Sequence, residues 1–457
     1  MLNQRVATFA LIASLLFIWL VYLNRHHFPS LDSVGDSRVH NWLSPSKNDT
    51  TTADQKVDSH NADPQINSLK NGLKNLCDRT HWTPGLWLQC HSYSGLNTTA
   101  IGGGLNNARN RIQTCVRLAI DAGSGLIIPP IATTRNADNP ALLSATPQCA
   151  DQFWNFDHMA EELEEQCPQM KLRYCGDAEG IDTILPTLKR HYSDDVHSLG
   201  TFGAMVNATL KEANIEKISP LNPVAITYGD SYIAWNYTES NELGAVRKSL
   251  FRLIKFNRRL LTFSSEILQS PELQNGFIGV HLRGEPDWPA VFGTVDTQMD
   301  AYVKEIEATQ STREKKITTV YVSCGSRGAI GWFRARLEPL GYTVHDKWTL
   351  LVGSPRMLAK LDAMEFDKKA IVEYEVLVNA DYWYGILMST MSAMVAYART
   401  VDEPEVYFST YLYPGSSRTA GRTRTWVNAP AMMGTNTTKL LVTNSAPVGL
   451  DLMDSFP

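Results

Sequence analysis

One stretch of the sequence changes from apolar to charged within a few residues: Phe277-Ile278-Gly279-Val280-His281-Leu282-Arg283-Gly284-Glu285-Pro286-Asp287-Trp288-Pro289. Residues 277–280 are typical of a strand that is buried on both faces of a parallel sheet. The polar residues His281, Arg283, Glu285 and Asp287 follow directly, and open α/β sheets bind ligands at the carboxyl ends of their strands. The stretch therefore predicts an α/β fold with a ligand site. A surface ion pair before a proline turn is the alternative.

Arg283 has the most specific chemistry of this stretch. Its guanidinium group is a fixed fork of donors that matches a phosphate or a carboxylate. Asp287, four residues further on, is placed to orient that guanidinium or to accept a hydrogen bond from a sugar hydroxyl. Together the two residues favour a ligand that carries an anionic group.

A glycine-rich segment at residues 101–104 leads into a predicted helix that runs to residue 122. Such a loop offers unpaired backbone N–H groups and the positive end of the helix dipole to a phosphate. Asn106, Asn107 and Arg109 crowd the helix start with polar groups, although one cap would be enough. Because the glycine spacing matches neither the dinucleotide-binding motif nor the P-loop, these three side chains are the specific part of the signal.

A third polar cluster, Ser389-Thr390-Met391-Ser392, precedes a predicted helix over residues 392–399. Its hydroxyl groups and the first amides of that helix can together hold a diphosphate. Simple capping of the helix by a hydroxyl group is the alternative.

Between these clusters the chain alternates between predicted strands and predicted helices. Strands are expected near residues 224–228 and 318–323, and a single long helix is expected over residues 245–268. Such alternation predicts parallel, doubly wound sheets. At 457 residues the chain is too long for one hydrophobic core. We therefore predict two facing Rossmann-like domains, over residues 76–270 and 271–457.

The amino terminus carries a membrane signal. Residues 6–23 form an uncharged apolar run of 18 residues, which is just long enough to span a bilayer. The run exceeds the usual core of a signal peptide and lacks a small-residue cleavage site, which favours a retained anchor over a cleaved signal peptide. The charges around it weakly favour a cytosolic amino terminus. The polar composition of residues 24–75 predicts a flexible stem.

Glycosylation sequons and cysteines indicate that the body folds in an oxidising compartment. Five sequons begin at Asn48, Asn97, Asn207, Asn236 and Asn436. Six of the seven cysteines can form up to three disulfides, in a pairing that the sequence does not give. The six are Cys77, Cys90, Cys115, Cys149, Cys167 and Cys175. A metal site is the alternative, but the paired spacing that zinc sites use is missing.

Three segments, in order along the chain, resemble the motifs of GDP-fucose-dependent O-fucosyltransferases. Gly104-Leu-Asn-Asn-Ala-Arg109 is similar to the family's Gly-Leu-Asn-Asn-Gln-Arg loop, with Ala108 in place of glutamine. His281-Leu-Arg283 and Asp287-Trp288 resemble the family's His-x-Arg strand end and the Asp-Trp pair that follows it.

The third segment comprises Ala380-Asp381, Gly385, Ser389-Thr390-Met391-Ser392 and Arg399, with threonine and methionine replacing a serine and a phenylalanine of the family. The resemblance extends over residues 77–408. It implies a two-domain glycosyltransferase fold of the GT-B type. It also implies inverting transfer of fucose from GDP-fucose to a hydroxyl of a secretory-pathway protein or glycan.

The resemblance further implies which residues bind the donor: Gly104, Asn106, Asn107, Arg109, His281, Arg283, Asp381, Ser389, Thr390, Met391 and Ser392. Arg283 would stabilise the negative charge that develops on the departing β-phosphate. Glu285 and Asp287 are the nearest candidates for a general base, because residues 94–110 contain no carboxylate. Burial and the charge of Arg283 would shift their pKa values in opposite directions, so the base stays unassigned.

Other partners are limited by composition. The net charge of −5 and the lack of a basic tract argue against nucleic acid. The chain contains no Asp-x-Asp triplet, with which many glycosyltransferases hold a metal, so we expect no metal and no cofactor besides the donor. The expected location is the Golgi or endoplasmic reticulum membrane, type II, with the body in the lumen. A catalytically inactive lumenal scaffold that binds a sugar or nucleotide, and a glycan-directed fucosyltransferase, are the alternatives.

Overall fold

The computed structural model describes residues 72–91, 104–132, 147–187, 196–197, 200–229, 234–235, 243–286, 288–386, 389–401, 425–426, 432–434, 437–441 and 448–449. The predicted anchor at residues 6–23, and the predicted stem as far as residue 71, lie outside these ranges. Among the described helices, none is both long enough and apolar enough to cross a bilayer. The anchor therefore stays a prediction.

The amino-terminal half is built on a parallel sheet. Its described helices and strands are α1 (Gly72–Arg79), β1 (Leu86–His91), α2 (Leu105–Ala122), β2 (Gly125–Ile127), α3 (Phe156–Gln166), β3 (Leu172–Arg173), β4 (Thr183–Pro186), β5 (Val196–His197), α4 (Thr201–Glu212), β6 (Val224–Gly229), β7 (Ala234–Trp235) and α5 (Leu243–Leu253). Five of these strands form the sheet, in the order β3-β2-β1-β6-β4. The short strands β5 and β7 pair separately.

The carboxyl-terminal half is built on a second sheet. Its described helices and strands are α6 (Arg258–Leu268), β8 (Ile278–His281), α7 (Val295–Ser311), β9 (Thr319–Ser323), α8 (Arg327–Leu337), β10 (Thr343–His345), α9 (Lys347–Leu350), α10 (Pro355–Asp362), α11 (Phe366–Val378), β11 (Tyr382–Ile386), α12 (Thr390–Thr400), β12 (Thr425–Trp426), β13 (Met432–Gly434), β14 (Thr438–Leu441) and β15 (Val448–Gly449). The strand order is β10-β9-β8-β11-β14-β13, while β12 and β15 pair separately. The pairing is parallel except for the edge strand β13.

Strand β8 lies in the middle of the second sheet, between β9 and β11. All four of its residues are buried, as expected for a strand that is covered on both faces. One apolar cluster packs on one face of the sheet through Val280, Val320 and Phe333. A larger cluster runs through both halves and includes Leu88 and Val372. The predicted buried strand and the predicted α/β fold with two parallel sheets are confirmed.

The single helix predicted over residues 245–268 is wrong, because the segment forms two helices, α5 and α6. The chain between them pairs with an earlier segment: Asn257 N–H donates to the carbonyl of Phe153 at 2.9 Å, and Asn155 N–H donates to the carbonyl of Lys255 at 2.8 Å. The side chain of Asn257 then accepts from Arg259 N–H at 2.8 Å and starts α6 as its N-cap. These bonds replace the helical ones at the break.

Helix α6 packs against α11 of the carboxyl-terminal half, where Ser264 Oγ donates to the carbonyl of Val372 at 2.9 Å. The predicted domain boundary at residues 270 and 271 stays a prediction.

Three disulfides join the six cysteines of the amino-terminal half: Cys77–Cys167, Cys90–Cys115 and Cys149–Cys175. The predicted use of these cysteines in disulfides is confirmed, and the structure supplies the pairing. Cys324 in the other half is a buried free thiol. The described cross-links therefore all lie in the half that carries α2.

Candidate active site

A cleft of about 350 Å³ lies between the two halves. The start of α2 lines it on one side, and the carboxyl ends of β8 and β9, the helix α9, part of α11 and the start of α12 line the other. Most of the predicted site residues meet here: Gly104, Asn106, Asn107, His281, Arg283, Glu285, Ser389, Thr390 and Met391. Three segments that are far apart in sequence therefore form one site.

The backbone around Arg283 is fixed by helix α7. The side-chain amide of Gln298 accepts from Arg283 N–H at 3.0 Å and donates to the Arg283 carbonyl at 3.0 Å. The hydroxyl of Tyr302 donates to the carbonyl of His281 at 2.7 Å. These bonds satisfy backbone groups that the strand leaves at its end, so the guanidinium of Arg283 starts from a defined position. It lies over the ring of Trp288, 5.3 Å from the centroid.

Glu285 holds the guanidinium group of Arg283 through an ion pair. Its Oε2 forms an ion pair with Arg283 Nη1, and its Oε1 accepts from Gly325 N–H at 2.7 Å. Burial raises the pKa of Glu285, but the charge of Arg283 and the bond from Gly325 lower it more, so that the net shift is downward. With both oxygens occupied and the charged form favoured, this geometry supports an orienting role for Glu285 rather than proton transfer.

Gly325 has to be glycine for this contact. A Cβ atom at this position would lie 2.8 Å from Glu285 Oε1 and 2.6 Å from Cε2 of Phe366. The absence of a side chain lets the carboxylate approach the backbone.

His281 is buried in the wall of the cleft, and its Nδ1 lies 2.7 Å from Ser392 Oγ. Burial lowers the pKa of His281 to about 4, against a smaller upward effect of Glu285. The imidazole is therefore neutral near pH 7. Ser392 is fully buried and also accepts from Ile386 N–H at 3.2 Å. The predicted donor-binding residue Ser392 thus stands behind His281 and does not line the cleft.

The start of α12 faces the cleft through Ser389, Thr390 and Met391. Ser389 is the N-cap residue, but its side chain makes no capping hydrogen bond. Simple capping by this hydroxyl, the alternative that the sequence left open, is therefore not seen. An uncapped helix start is a favourable position for an anion.

The start of α2 lies across the cleft. Gly104 is the N-cap of this helix of 18 residues and offers no side chain to its first amides. The Oδ1 atoms of Asn106 and Asn107 are buried and, among the described residues, have no hydrogen-bond partner. Leaving such an acceptor unpaired costs on the order of 1–3 kcal/mol. A ligand that donates hydrogen bonds, such as a sugar with its hydroxyl groups, would remove this cost.

Arg109, predicted to bind the donor, lies away from the cleft. Its Nη2 donates to the carbonyls of Phe251 and Ile254, at 3.2 and 3.0 Å, and its Nη1 donates to the hydroxyl of Tyr374 at 3.2 Å. Its guanidinium also lies 4.2 Å from the ring centroid of Phe251. Arg109 thus joins α2 to the end of α5 and to α11, which favours a structural role.

Asp381 lies at the amino ends of the strands of the second sheet, whereas the cleft lies at their carboxyl ends. Its Oδ2 accepts from Phe277 N–H at 2.9 Å, just before β8 begins. Arg399 donates to the carbonyl of Val378 at 2.8 Å and to Thr438 Oγ1 at 2.8 Å, close to the same strand ends. Both residues tie strands together at their amino ends. Asp287, the other predicted catalytic residue, lies outside the described residues.

Sequence reasoning missed a buried ion pair in the wall of the cleft. Lys347 Nζ lies 2.8 Å from Glu373 Oε1, and both side chains are buried. Burial raises the pKa of Glu373, and the neighbouring lysine only partly offsets this. The signal was present, because Asp346-Lys347-Trp348 directly follows β10, just as Arg283 follows β8. Aromatic rings of Trp348 and Phe366 lie nearby in the same wall.

Within the described residues, no group of three or more His, Cys, Asp or Glu side chains is arranged to hold a metal ion.

The sequence matches the family model described as GDP-fucose protein O-fucosyltransferase over residues 98–402. Solved structures with similar arrangements include POFUT1 in complex with GDP, at 12% identity and a TM-score of 0.42, over 70% of this chain and 97% of that chain. NodZ alpha-1,6-fucosyltransferase soaked with GDP-fucose matches at 11% identity and a TM-score of 0.39, over 69% of this chain and 92% of that chain.

A mutant of Arabidopsis thaliana FUT1 in complex with GDP matches at 13% identity and a TM-score of 0.38, over 74% of this chain and 73% of that chain. A comparison with curated protein sequences finds no match. Since the family model matches well over half of the sequence, the chain belongs to the GDP-fucose protein O-fucosyltransferase family and is a fucosyltransferase-like glycosyltransferase.

Proposed function

We propose that this protein transfers fucose from GDP-fucose to a hydroxyl group of a protein or glycan in the secretory pathway, with inversion at the anomeric carbon and without a metal ion. The family assignment supports the donor and the reaction. The observation that carries the proposal is the position of Arg283 in the cleft, held by Gln298 and Glu285 and facing the starts of two helices.

The reaction breaks the bond between the anomeric carbon of fucose and an oxygen of the β-phosphate. The electron pair leaves with GDP, so negative charge grows on that phosphate while positive charge grows on the sugar. A guanidinium group that is already in position stabilises the growing negative charge without further rearrangement. The amides at the start of α12 act in the same direction, because the helix dipole is positive there.

A phosphate clamp of this kind needs no metal ion. In the proposed reaction Arg283 and the helix start take the role that a divalent cation has in other glycosyltransferases. The neutral His281 adds a hydrogen-bonding ring without a second positive charge. Asn106 and Asn107 are available to bind the hydroxyl groups of the sugar from the opposite half.

The proposed acceptor is a hydroxyl group. The family description names protein as the acceptor, which favours a serine or threonine hydroxyl over a glycan hydroxyl. The acceptor oxygen attacks the anomeric carbon from the face opposite the leaving phosphate, which gives inversion. The proton of the acceptor hydroxyl passes to the departing phosphate or to solvent as the new bond forms.

The proposed location is the lumen of the Golgi or endoplasmic reticulum, with residues 6–23 as a type II anchor. Three disulfides support a compartment in which thiols oxidise. Of the five sequon asparagines, Asn207 lies in the described part of the chain, exposed on α4.

Calorimetry on the full-length protein in detergent tests which nucleotide donor the protein binds. We expect binding of GDP and GDP-fucose, and much weaker binding of ADP. Transfer to a mixture of folded secretory proteins and glycans is then measured with and without a saturating chelator, and we expect equal rates. Strict dependence on manganese would contradict the metal-free clamp. Tight GDP-fucose binding without turnover on any acceptor would identify an inactive binding scaffold.

A further inference from the structure

The buried pair of Lys347 and Glu373 has no part in the reaction as described above. Lys347 is the first residue of α9, and its side chain is 1% exposed. Glu373 lies on α11 with a side chain that is 6% exposed. A buried ion pair contributes little to stability on balance, since an apolar pair of the same size is often as good or better. Its presence next to the cleft therefore calls for another explanation.

The second contact of Lys347 provides one. Its Nζ also donates to the carbonyl of Cys324, at 2.7 Å. This carbonyl and the N–H of Gly325 belong to the same planar peptide group, which is trans. The two ends of that peptide point in opposite directions, one toward Lys347 and the other toward Glu285. Glu285 in turn is paired with Arg283.

The result is a continuous line of charges and hydrogen bonds from the cation Lys347 to the guanidinium of Arg283. A cation at the carbonyl end polarises a peptide group and strengthens the bond that its N–H donates. The same cation fixes the plane of the peptide, and the plane fixes the direction in which the N–H of Gly325 points. The position of Glu285, and with it that of Arg283, therefore depends on Lys347.

We propose that Lys347 is a positioning residue for sugar transfer: through the peptide group between Cys324 and Gly325 it holds Glu285 and so aims Arg283, while Glu373 balances its charge. The inference rests on the proposed function, because it concerns the alignment of the group that stabilises the departing phosphate. It extends the site to a residue that acts through Glu285 and Arg283.

Replacement of Lys347 by methionine tests this. Methionine keeps most of the side-chain volume but cannot donate to the Cys324 carbonyl. The departing phosphate carries more negative charge in the transition state than in the bound substrate, so a misaimed Arg283 lowers kcat more than it raises KM for GDP-fucose. We expect a fall in kcat of roughly tenfold, which is less than removal of a stabilising donor itself costs.

A double-mutant comparison separates positioning from general damage. In a Glu285→Gln background the link between Gly325 and Arg283 is already weakened. Lys347→Met should then reduce kcat by about twofold or less, because both changes act on the same line of contacts. A merely structural role would give the same factor in both backgrounds.

Folding is controlled by a second variant. Lys347→Met leaves the carboxylate of Glu373 buried without its cation, which is strongly destabilising. The double variant Lys347→Met/Glu373→Met removes both charges and still lacks the donor to Cys324, so we expect a Tm close to that of the wild type and the same fall in kcat. The matched control is Lys439→Met, which removes a buried lysine of β14 that lies 3.6 Å from Glu305 and outside the cleft. Its kcat should be unchanged.

A folded Lys347→Met/Glu373→Met protein with wild-type kcat would overturn the inference. So would a Lys347→Met effect of equal size with and without Glu285→Gln. Either result in an active wild-type enzyme leaves the proposed function standing. A wild-type protein that neither binds GDP nor transfers fucose would overturn the proposed function and this inference together.

Discussion

His281 shows how burial sets the charge of a single side chain beside the cleft. Its ring contacts Ser392, and desolvation lowers its pKa from 6.5 to about 4. The charge of Glu285 opposes this shift, and that of Arg283 adds to it. A neutral imidazole at the strand end leaves Arg283 as the cation that faces the cleft after β8.

This shift predicts a pH dependence of stability. Between pH 6.5 and pH 4 the unfolded chain binds a proton at His281, while the folded protein does not. The free energy of unfolding should therefore fall as the pH is lowered through this window, by on the order of 3 kcal/mol. Urea denaturation at a series of pH values measures it. A His281→Asn variant should show a flatter profile in the same window, and an unchanged profile would contradict the shift.

Some residues of the site follow from sequence alone, and others depend on contacts that sequence does not show. The sequence predicts the position of Arg283 in the cleft, because a charged residue after a buried strand lies at the carboxyl end of the sheet. Lys347 obeys the same rule after β10, but its partners Glu373 and Cys324 come from other elements. The pairing depends on how α11 packs, which the spacing of residues does not encode.

At the scale of elements, the first residues of α2 have two different roles: some line the cleft and one packs inside the protein. Asn106 and Asn107 lie in its first turn and line the cleft. Arg109 lies about 4.5 Å from Asn106 along the helix axis and points into the protein, where its guanidinium meets Phe251 and Tyr374. These residues belong to one sequence motif, but the helix directs their side chains to two different places.

Arg109 therefore yields a prediction about element packing. Arg109→Met should lower Tm, since it leaves the carbonyls at the end of α5 and the hydroxyl of Tyr374 without their donor. The loss of stability should be on the order of 3 kcal/mol, and GDP affinity of the folded protein should stay within a few-fold of the wild type. Thermal melts and calorimetry on the same sample measure both. A normal Tm with lost GDP affinity would instead show that Arg109 binds the donor.

The break between α5 and α6 could not be predicted from the spacing of apolar residues. The apolar residues on either side continue a helical spacing, so the sequence favours one helix. The break arises because residues 255–257 pair with residues 153–155, about a hundred positions earlier. Strand β14 does not follow from the sequence for a related reason. It has only four residues, and its pairing with β11 decides its structure.

At the scale of the molecule, the two halves are stabilised differently. The amino-terminal half carries three disulfides, one of which closes 90 residues. The second half has its central strands buried on both faces and its described cysteine, Cys324, as a free thiol. Disulfides that close long loops reduce the entropy of the unfolded chain most.

Topology gives the third prediction. If residues 6–23 are a retained anchor with a cytosolic amino terminus, all five sequons lie in the lumen. Glycosidase should then lower the apparent mass of the membrane-bound protein, and Asn207→Gln should remove part of that change. Protease outside sealed vesicles should spare the body, and carbonate should leave the chain in the membrane.

Two other outcomes have different meanings for this topology. A soluble product that begins after residue 23 would identify a cleaved signal peptide and leave the enzyme assignment intact. A body that is not glycosylated and is open to protease would contradict the lumenal location.

The central claim is that Arg283 stabilises the phosphate that leaves during fucose transfer. Kinetics of Arg283→Ala with GDP-fucose test it most directly, with Arg283→Lys to ask whether the charge alone suffices. Arg336→Ala, which removes a surface arginine that pairs with Asp296 and Asp300, is the control for loss of a positive charge.

In proteins with wild-type Tm, we expect Arg283→Ala to lower kcat by about a hundredfold or more and Arg283→Lys to restore little of it, because lysine lacks the two-pronged geometry. Arg336→Ala should transfer fucose at the wild-type rate. A folded Arg283→Ala protein with near-normal kcat would contradict the account.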